Sequence, residues 1–186
     1  MATNNSINVA TGASGTVLTG AGVGSAPVFS GTPTLTSVAF NPTTGGVVGT
    51  TTNDNASAGY VGEFVSSVIP AASAITLTND TNVDVTSISL TAGDWDVWGN
   101  VTMVSKGTAA NALFVWVSST SATVPDASLY GGISMIAAGS LENGTAFSAP
   151  QLRFSLSGTT TIYLTAYKGG TDNGTACGGI YARRAR

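Results

Sequence analysis

The chain has 186 residues, of which 42% are hydrophobic and only 8% are charged. Its formal net charge is −3, which argues against a general nucleic-acid-binding protein, because such proteins carry a basic surface. A typical soluble domain has about a quarter of its residues charged, so this surface must be hydrated by hydroxyl, amide and glycine groups instead. A neutral surface costs less to desolvate than a charged one, and it therefore favours assembly with other proteins.

Residues 1–52 contain no charged side chain at all. Short apolar pairs, Val17-Leu18, Val28-Phe29 and Val47-Val48, are separated by Gly, Pro, Ser and Thr, which predicts strands of a few residues between turns. So thin a segment buries no core of its own and is either disordered or ordered against copies of itself or another protein. The absence of charge disfavours a solvated linker, so we expect an extended arm that docks through the first two pairs: Val17, Leu18, Val28 and Phe29.

From Asn53 onwards the predicted strands become longer and alternate with turn signals such as Asn79-Asp80, Lys106-Gly107 and Glu142-Asn143-Gly144. About nine short strands at this spacing indicate an all-β domain over residues 53–186, a β-sandwich of the jelly-roll kind. The strand candidates are residues 60–68, 74–78, 83–90, 94–104, 112–118, 129–136, 151–156, 160–167 and 178–182.

The candidate strand over residues 94–104 separates a core face from a wet face, since successive side chains of a strand point to opposite sides. The core face carries Trp95, Val97, Val101 and Met103, and the wet face carries Asp94, Asp96, Trp98, Asn100 and Thr102. Trp98 is the exception on the wet face. It is expected to join a subunit interface or to serve as an exposed platform on which a sugar stacks.

The candidate strand over residues 112–118 is apolar on both faces. Leu113, Val115 and Val117 suit the core, and a two-layer sandwich leaves the opposite face, with Phe114 and Trp116, in need of a second cover. A subunit interface would remove this exposed patch. In the strand over residues 160–167, Tyr163 is likewise an aromatic residue on the face opposite the core. We therefore predict a homo-oligomer whose interface includes Phe114, Trp116 and Tyr163, with Trp98 as a further candidate.

The residues that usually carry catalysis are scarce. The sequence has no histidine and a single cysteine, Cys177, which removes the commonest general base and any intrachain disulfide. Asp94 and Asp96 lie about 6.5–7 Å apart by strand geometry, and we interpret them as solubilising residues. A calcium site that uses Asp80, Asp84 or the Asp172-Asn173-Gly174 turn is a minor alternative, because the dense ligand spacing of a calcium loop is missing. We predict no enzyme activity, no cofactor and no metal.

The two ends of the chain give further expectations. The N-terminal residues are polar and lack the pattern of a signal peptide, and no apolar run is long enough to cross a bilayer. The expected place of synthesis is therefore a cytoplasm. The only basic cluster, Arg183, Arg184 and Arg186, is expected to be a solvated chain end, or else a contact to an acidic neighbour.

Four segments resemble bacteriophage tail-fibre and related virion proteins: GTVLTGAGVGSAPVFSG, GGVVGTTTNDNASAGYVGEFVSS, SLTAGDWDVWGNVTM and CGGIYARRAR. Together they run from about Gly15 to the C-terminus, and the GDWDVWGN stretch is the most specific. The resemblance implies a phage virion protein with a trimeric C-terminal knob, similar in arrangement to C1q and TNF heads. Tail fibres of this kind are usually much longer, so a short head fibre or a decoration protein fits the length at least as well.

The function predicted from the sequence is a homotrimeric virion appendage, a short fibre on the head or the tail. Its arm, residues 1–52, attaches to other virion proteins, and its knob, residues 53–186, projects and contacts the host surface, with a host glycan as a potential ligand. Two alternatives stay open. One is a capsid decoration or cement protein that stabilises the shell without binding a receptor, and the other is a free carbohydrate-binding module. No nucleic-acid partner and no membrane insertion are expected.

Overall fold

A computed structural model describes residues 14, 16–19, 28–31 and 51–186, except the side chains of residues 105–109, 127, 130 and 132–143. The chain divides into two units, residues 1–51 and 52–186, while the sequence places the boundary after residue 52. The apolar pair Val47-Val48 lies outside the described residues.

The described part of the first unit is a small antiparallel ribbon. Strand β1 covers Val17–Thr19 and strand β2 covers Val28–Ser30, with Leu18 opposite Phe29. The Thr19 hydroxyl donates to the Val28 carbonyl oxygen at 3.1 Å. A two-stranded ribbon of this length is marginally stable at best in water.

The second unit is all-β, as predicted, and its helical segments in the described part of the chain are single 3-10 turns at Ala71–Ser73 and Ala127–Leu129. All of its strand pairs are antiparallel. The strands are β3 (Phe64–Ile69), β4 (Ile75–Leu77), β5 (Thr81–Leu90), β6 (Gly93–Ser118), β7 (Tyr130–Leu156), β8 (Thr160–Gly170) and β9 (Gly174–Arg184).

Two layers arise because the long strand β6 takes part in both. Residues 95–104 of β6 pair with β9, whose other edge carries β3 and β4, while residues 110–118 pair with β8, which in turn pairs with β5. Strand β7 follows β6 along its length. The two predicted strands over residues 94–104 and 112–118 are therefore one strand, and the predicted turns at Lys106-Gly107 and Glu142-Asn143-Gly144 lie within β6 and β7.

The core lies between the two layers and consists of the apolar face of each strand. Gly99 marks a close approach, since a Cβ atom there would lie 2.7 Å from Cδ1 of Leu164 and 3.0 Å from the Gly179 carbonyl oxygen. Burying each large aliphatic side chain contributes about 1.5–3 kcal/mol. The core includes Leu77, Val85, Ile88, Leu90, Trp95, Val97, Val101, Met103, Leu113, Val115, Val117, Ile162, Leu164 and Ile180. The predicted core faces of residues 94–104 and 112–118 are thus confirmed.

The basic C-terminus is folded into the domain, and the expectation of a solvated end is wrong for Arg184. This residue is 5% exposed, and its Nε donates to a Glu63 carboxylate oxygen at 2.9 Å. The guanidinium also donates to the Ala92 carbonyl oxygen at 2.8 Å and lies 4.3 Å from the centre of the Trp95 ring. Of the three arginines, Arg183 is exposed and points away from this cluster with no ionic partner among the described residues.

Asp94 departs from the wet face on which the sequence places it. Its side chain is buried, and its carboxylate pairs with Arg153 at 2.8 Å and with Arg186. The hydrogen bond from Arg153 is the first cause that lowers the pKa of Asp94 to about 2; Ser155 and Arg186 also lower it, whereas burial raises it. Asp94 is therefore a structural ion-pair residue that ties β7 and the chain end to β6.

Candidate functional site

The predicted interface residues lie on two different outer faces of the sandwich. Phe114 and Trp116 alternate with the buried side chains of β6 and pair in register with Tyr167 and Thr165 of β8. Tyr163, opposite Ser118, lies on the same outer face. Trp98 lies on the outer face of the other layer, where it pairs with Tyr181 of β9. The structure therefore brings together three of the four candidates and separates the fourth.

Trp116 receives its cover from the chain itself. It is 1% exposed, and its indole N–H donates to the Thr123 carbonyl oxygen at 2.8 Å. Residues 119–124, which we call the covering loop, fold over this part of the outer face. The second cover that the sequence demands for this face is thus partly intramolecular, and the role of Trp116 in a subunit interface stays a prediction.

Asp84 holds the covering loop against the sheet, a role that the sequence does not reveal. Its carboxylate accepts hydrogen bonds from the Ala122 N–H at 2.9 Å, the Ser121 hydroxyl at 2.5 Å and the Thr165 hydroxyl at 2.6 Å. Asn82 adds a bond to the Ala122 carbonyl oxygen at 3.0 Å. The partners of Asp84 lie between 37 and 81 residues away in the chain, so no local sequence motif predicts them.

Beside the covering loop, the outer face forms an apolar groove of about 300 Å³. The rings of Phe114 and Tyr167 lie 6.2 Å apart, centre to centre, and Val124, the last residue of the covering loop, is 51% exposed. The Tyr167 hydroxyl donates to Asp80 at 3.2 Å, and burial, followed by this bond, raises the pKa of Tyr167. The lining residues are Asn82, Ala112, Phe114, Trp116, Val124 and Tyr167.

The opposite outer face carries a second aromatic cluster, formed by Phe64, Trp98 and Tyr181. The three ring centres are 6.0–6.2 Å apart, and the ring of Tyr181 is inclined by 24° to each of the other two. The Phe64 side chain is 38% exposed, and Trp98 and Tyr181 are half-buried. Sequence reasoning singles out Trp98 but misses its two neighbours, because Phe64 and Tyr181 reach it only through the pairing of β9 with β3 and β6.

The residues of the alternative calcium site have separate partners: Asp84 accepts from the covering loop, Asp80 accepts from Tyr167, and the Asp172 carbonyl oxygen accepts from Lys168. Lys168 is buried, and its Nζ donates to Asn79 Oδ1 at 3.3 Å and to the Asp172 carbonyl oxygen. Asn173 Oδ1 accepts the Asn79 backbone N–H at 3.0 Å. Across the described ranges, no three His, Cys, Asp or Glu side chains form a group that suits a metal ion. Lys168 thus places a positive charge beside Asn79 and the Asp172 carbonyl oxygen.

The four predicted docking residues lie together on the β1–β2 ribbon. Val17, Leu18, Val28 and Phe29 are between 39% and 53% exposed. The ribbon thus leaves these four apolar side chains partly exposed. The docking role itself stays a prediction.

The helical turns in the described part of the chain lack the length and apolarity of a membrane span.

Comparisons with known proteins give fold likeness only. No protein-family model matches the sequence, and no curated protein matches it. Among solved structures, the VP2 subviral particle of infectious bursal disease virus aligns with a TM-score of 0.43 and 8% identity, over 66% of this chain and 33% of the viral chain. The Gx strain of the same virus gives a TM-score of 0.37 and 12% identity, over 64% and 32%. This chain spans about a third of each, and at these scores the likeness carries no functional argument.

Proposed function

We propose that the chain is a structural appendage of a bacteriophage virion, a short fibre that docks through its N-terminal arm and displays the β-sandwich as a trimeric knob without enzymatic activity. The observation that carries the proposal is a difference in the burial of apolar side chains between the two units. The sandwich encloses its own core, whereas the ribbon of the arm leaves four large apolar side chains exposed. An uncharged ribbon of this kind is suited to burial against another protein.

The composition supports the same role. With 8% charged residues, the surface gives up little hydration when copies or other virion proteins pack against it. The apolar groove beside Phe114 offers a contact surface for a neighbouring copy on the face where the sequence predicts the interface. The resemblance of the GDWDVWGN segment to phage tail proteins points to the same class of particle.

Removing the arm tests the docking role. Full-length protein and a variant that begins at Asn53 are supplied in trans to phage that lack the gene, and incorporation is measured by immunoblot of purified particles. We expect the full chain to be incorporated and the truncated chain to be absent, although its sandwich core is complete. The proposal is wrong if the truncated chain enters particles as well as the full chain does.

The apolar side chains of the ribbon are tested by a matched pair of variants. Leu18→Asp together with Phe29→Asp places charges on the exposed ribbon, and Leu18→Ala with Phe29→Ala is the milder control. We expect the first pair to abolish incorporation and the second to weaken it, because burying an unpaired carboxylate costs far more than losing apolar contact. Equal incorporation of all variants would contradict docking through these residues.

Copy number separates this proposal from its alternatives. A few trimers per particle fit a fibre on the head or the tail, and hundreds of copies fit a capsid decoration protein that stabilises the shell. A free carbohydrate-binding module predicts no incorporation at all and an arm that is dispensable for binding. Quantitative mass spectrometry of purified virions distinguishes the three outcomes.

A further inference from the structure

We propose that the cluster of Phe64, Trp98 and Tyr181 is a platform for a neutral glycan, on which sugar rings stack while adjacent side chains bond their hydroxyl groups. The inference names a ligand class for host attachment and rests on the proposed function only for that biological setting. Its physical basis is the geometry of the outer face formed by β3, β9 and β6.

The first observation is the way in which the rings cover the sheet. A Cβ atom at Gly179 would lie 2.6 Å from the Tyr181 hydroxyl oxygen and 2.8 Å from the ring carbon that bears it. The Tyr181 ring therefore leans along its own strand, over a position that has no side chain. Phe64 and Trp98, on the flanking strands β3 and β6, converge on it with ring centres 6.1 Å apart. The result is a compact aromatic surface on a rigid sheet.

The second observation is a contrast among the three tryptophans. The indole N–H groups of Trp95 and Trp116 donate to the carbonyl oxygens of Thr91 at 2.9 Å and Thr123 at 2.8 Å. The Trp98 N–H has no such acceptor within the described residues. The same holds for the Tyr181 hydroxyl, whereas the Tyr167 hydroxyl is bonded to Asp80. The polar atoms of this cluster are thus available to a ligand.

The third observation is the pair of charged side chains beside the rings. Asp96 of β6 lies opposite Arg183 of β9, which in turn lies opposite Phe64 of β3. Arg153, the other cross-strand neighbour of Asp96, donates to Asp94 instead. No hydrogen bond engages the side chains of Asp96 or Arg183 within the described part of the chain. Next to an aromatic surface, the Asp96 carboxylate can accept hydrogen bonds and the Arg183 guanidinium can donate them. This combination matches sugar hydroxyls, which both donate and accept.

These features favour a neutral glycan over the other occupants of such a surface. An anionic polymer is disfavoured because the chain carries a net charge of −3. A second protein copy would bury the Asp96 carboxylate beside Arg183, and protein interfaces are depleted in Asp. Sugar hydroxyls give the Asp96 carboxylate and the Arg183 guanidinium a hydrogen-bond partner each, and the rest of each charged group stays hydrated.

The test titrates full-length protein with soluble neutral oligosaccharides of glucose, galactose, mannose, N-acetylglucosamine and rhamnose. Intrinsic tryptophan fluorescence and calorimetry report binding, and the fluorescence change reports on Trp98 because the other two indoles are buried. We expect saturable binding of at least one sugar and at least a tenfold weaker affinity in Trp98→Ala. Asp96→Asn and Arg183→Gln, which leave the rings in place, are expected to weaken it severalfold. Asp126→Ala, whose side chain bonds locally to Ser128 and belongs to neither aromatic face, is the control and should bind normally.

Three results would overturn the platform. One is the absence of binding to every sugar of the panel, and another is equal binding by wild type and all three platform variants. The third is a loss of oligomer mass in Trp98→Ala, measured by light scattering, with no change in sugar binding, because it assigns the surface to a second copy. None of these depends on particle incorporation, so the platform and the virion role fail or succeed separately.

Discussion

At the scale of single residues, the most consequential side chain is Arg184, near the end of β9. It joins Glu63, the Ala92 carbonyl oxygen and the Trp95 ring, and so connects the start of β3, the turn before β6 and the end of β9. The Glu63 carboxylate also accepts the Gly59 backbone N–H at 2.8 Å, which is the main cause that lowers the pKa of Glu63. A buried charge with several partners is costly to leave unpaired.

We therefore expect Arg184→Ala to destabilise the sandwich by about 3–5 kcal/mol, since Glu63 is left buried without its cation. Arg183→Ala, one residue earlier and exposed, is the matched control and should change stability by about 0.5 kcal/mol or less. Urea unfolding followed by circular dichroism measures both. A loss of equal size in the two variants would contradict the role given to Arg184.

The Asp94 carboxyl predicts how stability depends on acid. Its pKa in the folded protein is about 2 against an ordinary value of 3.8. The unfolded chain therefore binds the proton more tightly, and the stabilisation by Asp94 is complete above about pH 4 and is lost as the pH falls through about 2. We expect Asp94→Asn to be less stable than wild type at neutral pH and the difference to shrink in this window. A constant difference from pH 7 to pH 2 would contradict the ion pairs of Asp94.

At the scale of elements, the covering loop and the strands beneath it form one unit. Residues 119–124 lie over Trp116 and accept the hydrogen bond of its indole N–H, and the Asp84 carboxylate accepts two hydrogen bonds from this loop. A bulge in β5 between Asp84 and Thr86 shifts the alternation of side chains by one residue, so that Val85 and Ile88, three positions apart, are both buried. The covering loop closes part of the apolar outer face.

We expect Asp84→Ala to release the covering loop and to lower stability by about 1.5–3 kcal/mol, the usual worth of hydrogen bonds to a charged group. The exposed Trp116 should shift the fluorescence emission to longer wavelength and become accessible to acrylamide. Asp126→Ala, which removes two local hydrogen bonds from Ser128 outside the loop, is the control. If Trp116 stays protected in Asp84→Ala, the loop is held by other contacts.

The element scale also shows what the sequence predicts and what it does not. Alternation correctly assigns Val97, Val101, Leu113 and Val115 to the core, because a period of two is a local property. The turn signals at Lys106-Gly107 and Glu142-Asn143-Gly144 instead lie within two long strands, at or near points where the register between β6 and β7 shifts. A bend that carries a strand from one layer to the other requires the same permissive residues as a turn.

The candidate sites show the same limit. Trp98 is noticed because an indole on a wet face is unusual, whereas Phe64 and Tyr181 become its neighbours only through pairing with distant strands. The alternating pattern of the strand predicts that Asp94 lies at the surface. Its burial depends on Arg153 and Arg186, which follow it by 59 and 92 positions. Long-range pairing of this kind leaves no periodic trace in the sequence.

At the scale of the whole molecule, the proposed virion fibre requires a trimeric sandwich as well as an arm. We expect light scattering to give three times the chain mass of 18.4 kDa for the wild type. Phe114→Asp, in the apolar groove, should reduce it to the mass of one chain, because a carboxylate there resists desolvation. Val68→Asp, on the other outer face and 54% exposed, should remain trimeric. A monomeric wild type, or a trimeric Phe114→Asp that remains folded by circular dichroism, would contradict an interface at the groove.

The central claim is that the uncharged arm fixes the chain to a virion while the sandwich projects from it. A cryo-electron microscopy map of the intact particle tests this most directly. The account predicts sandwich density standing outward from the head or the tail, with the β1–β2 ribbon packed against another virion protein and Leu18 and Phe29 buried in that contact. A map in which the ribbon touches no virion protein, or in which the chain is absent from the particle, would contradict it.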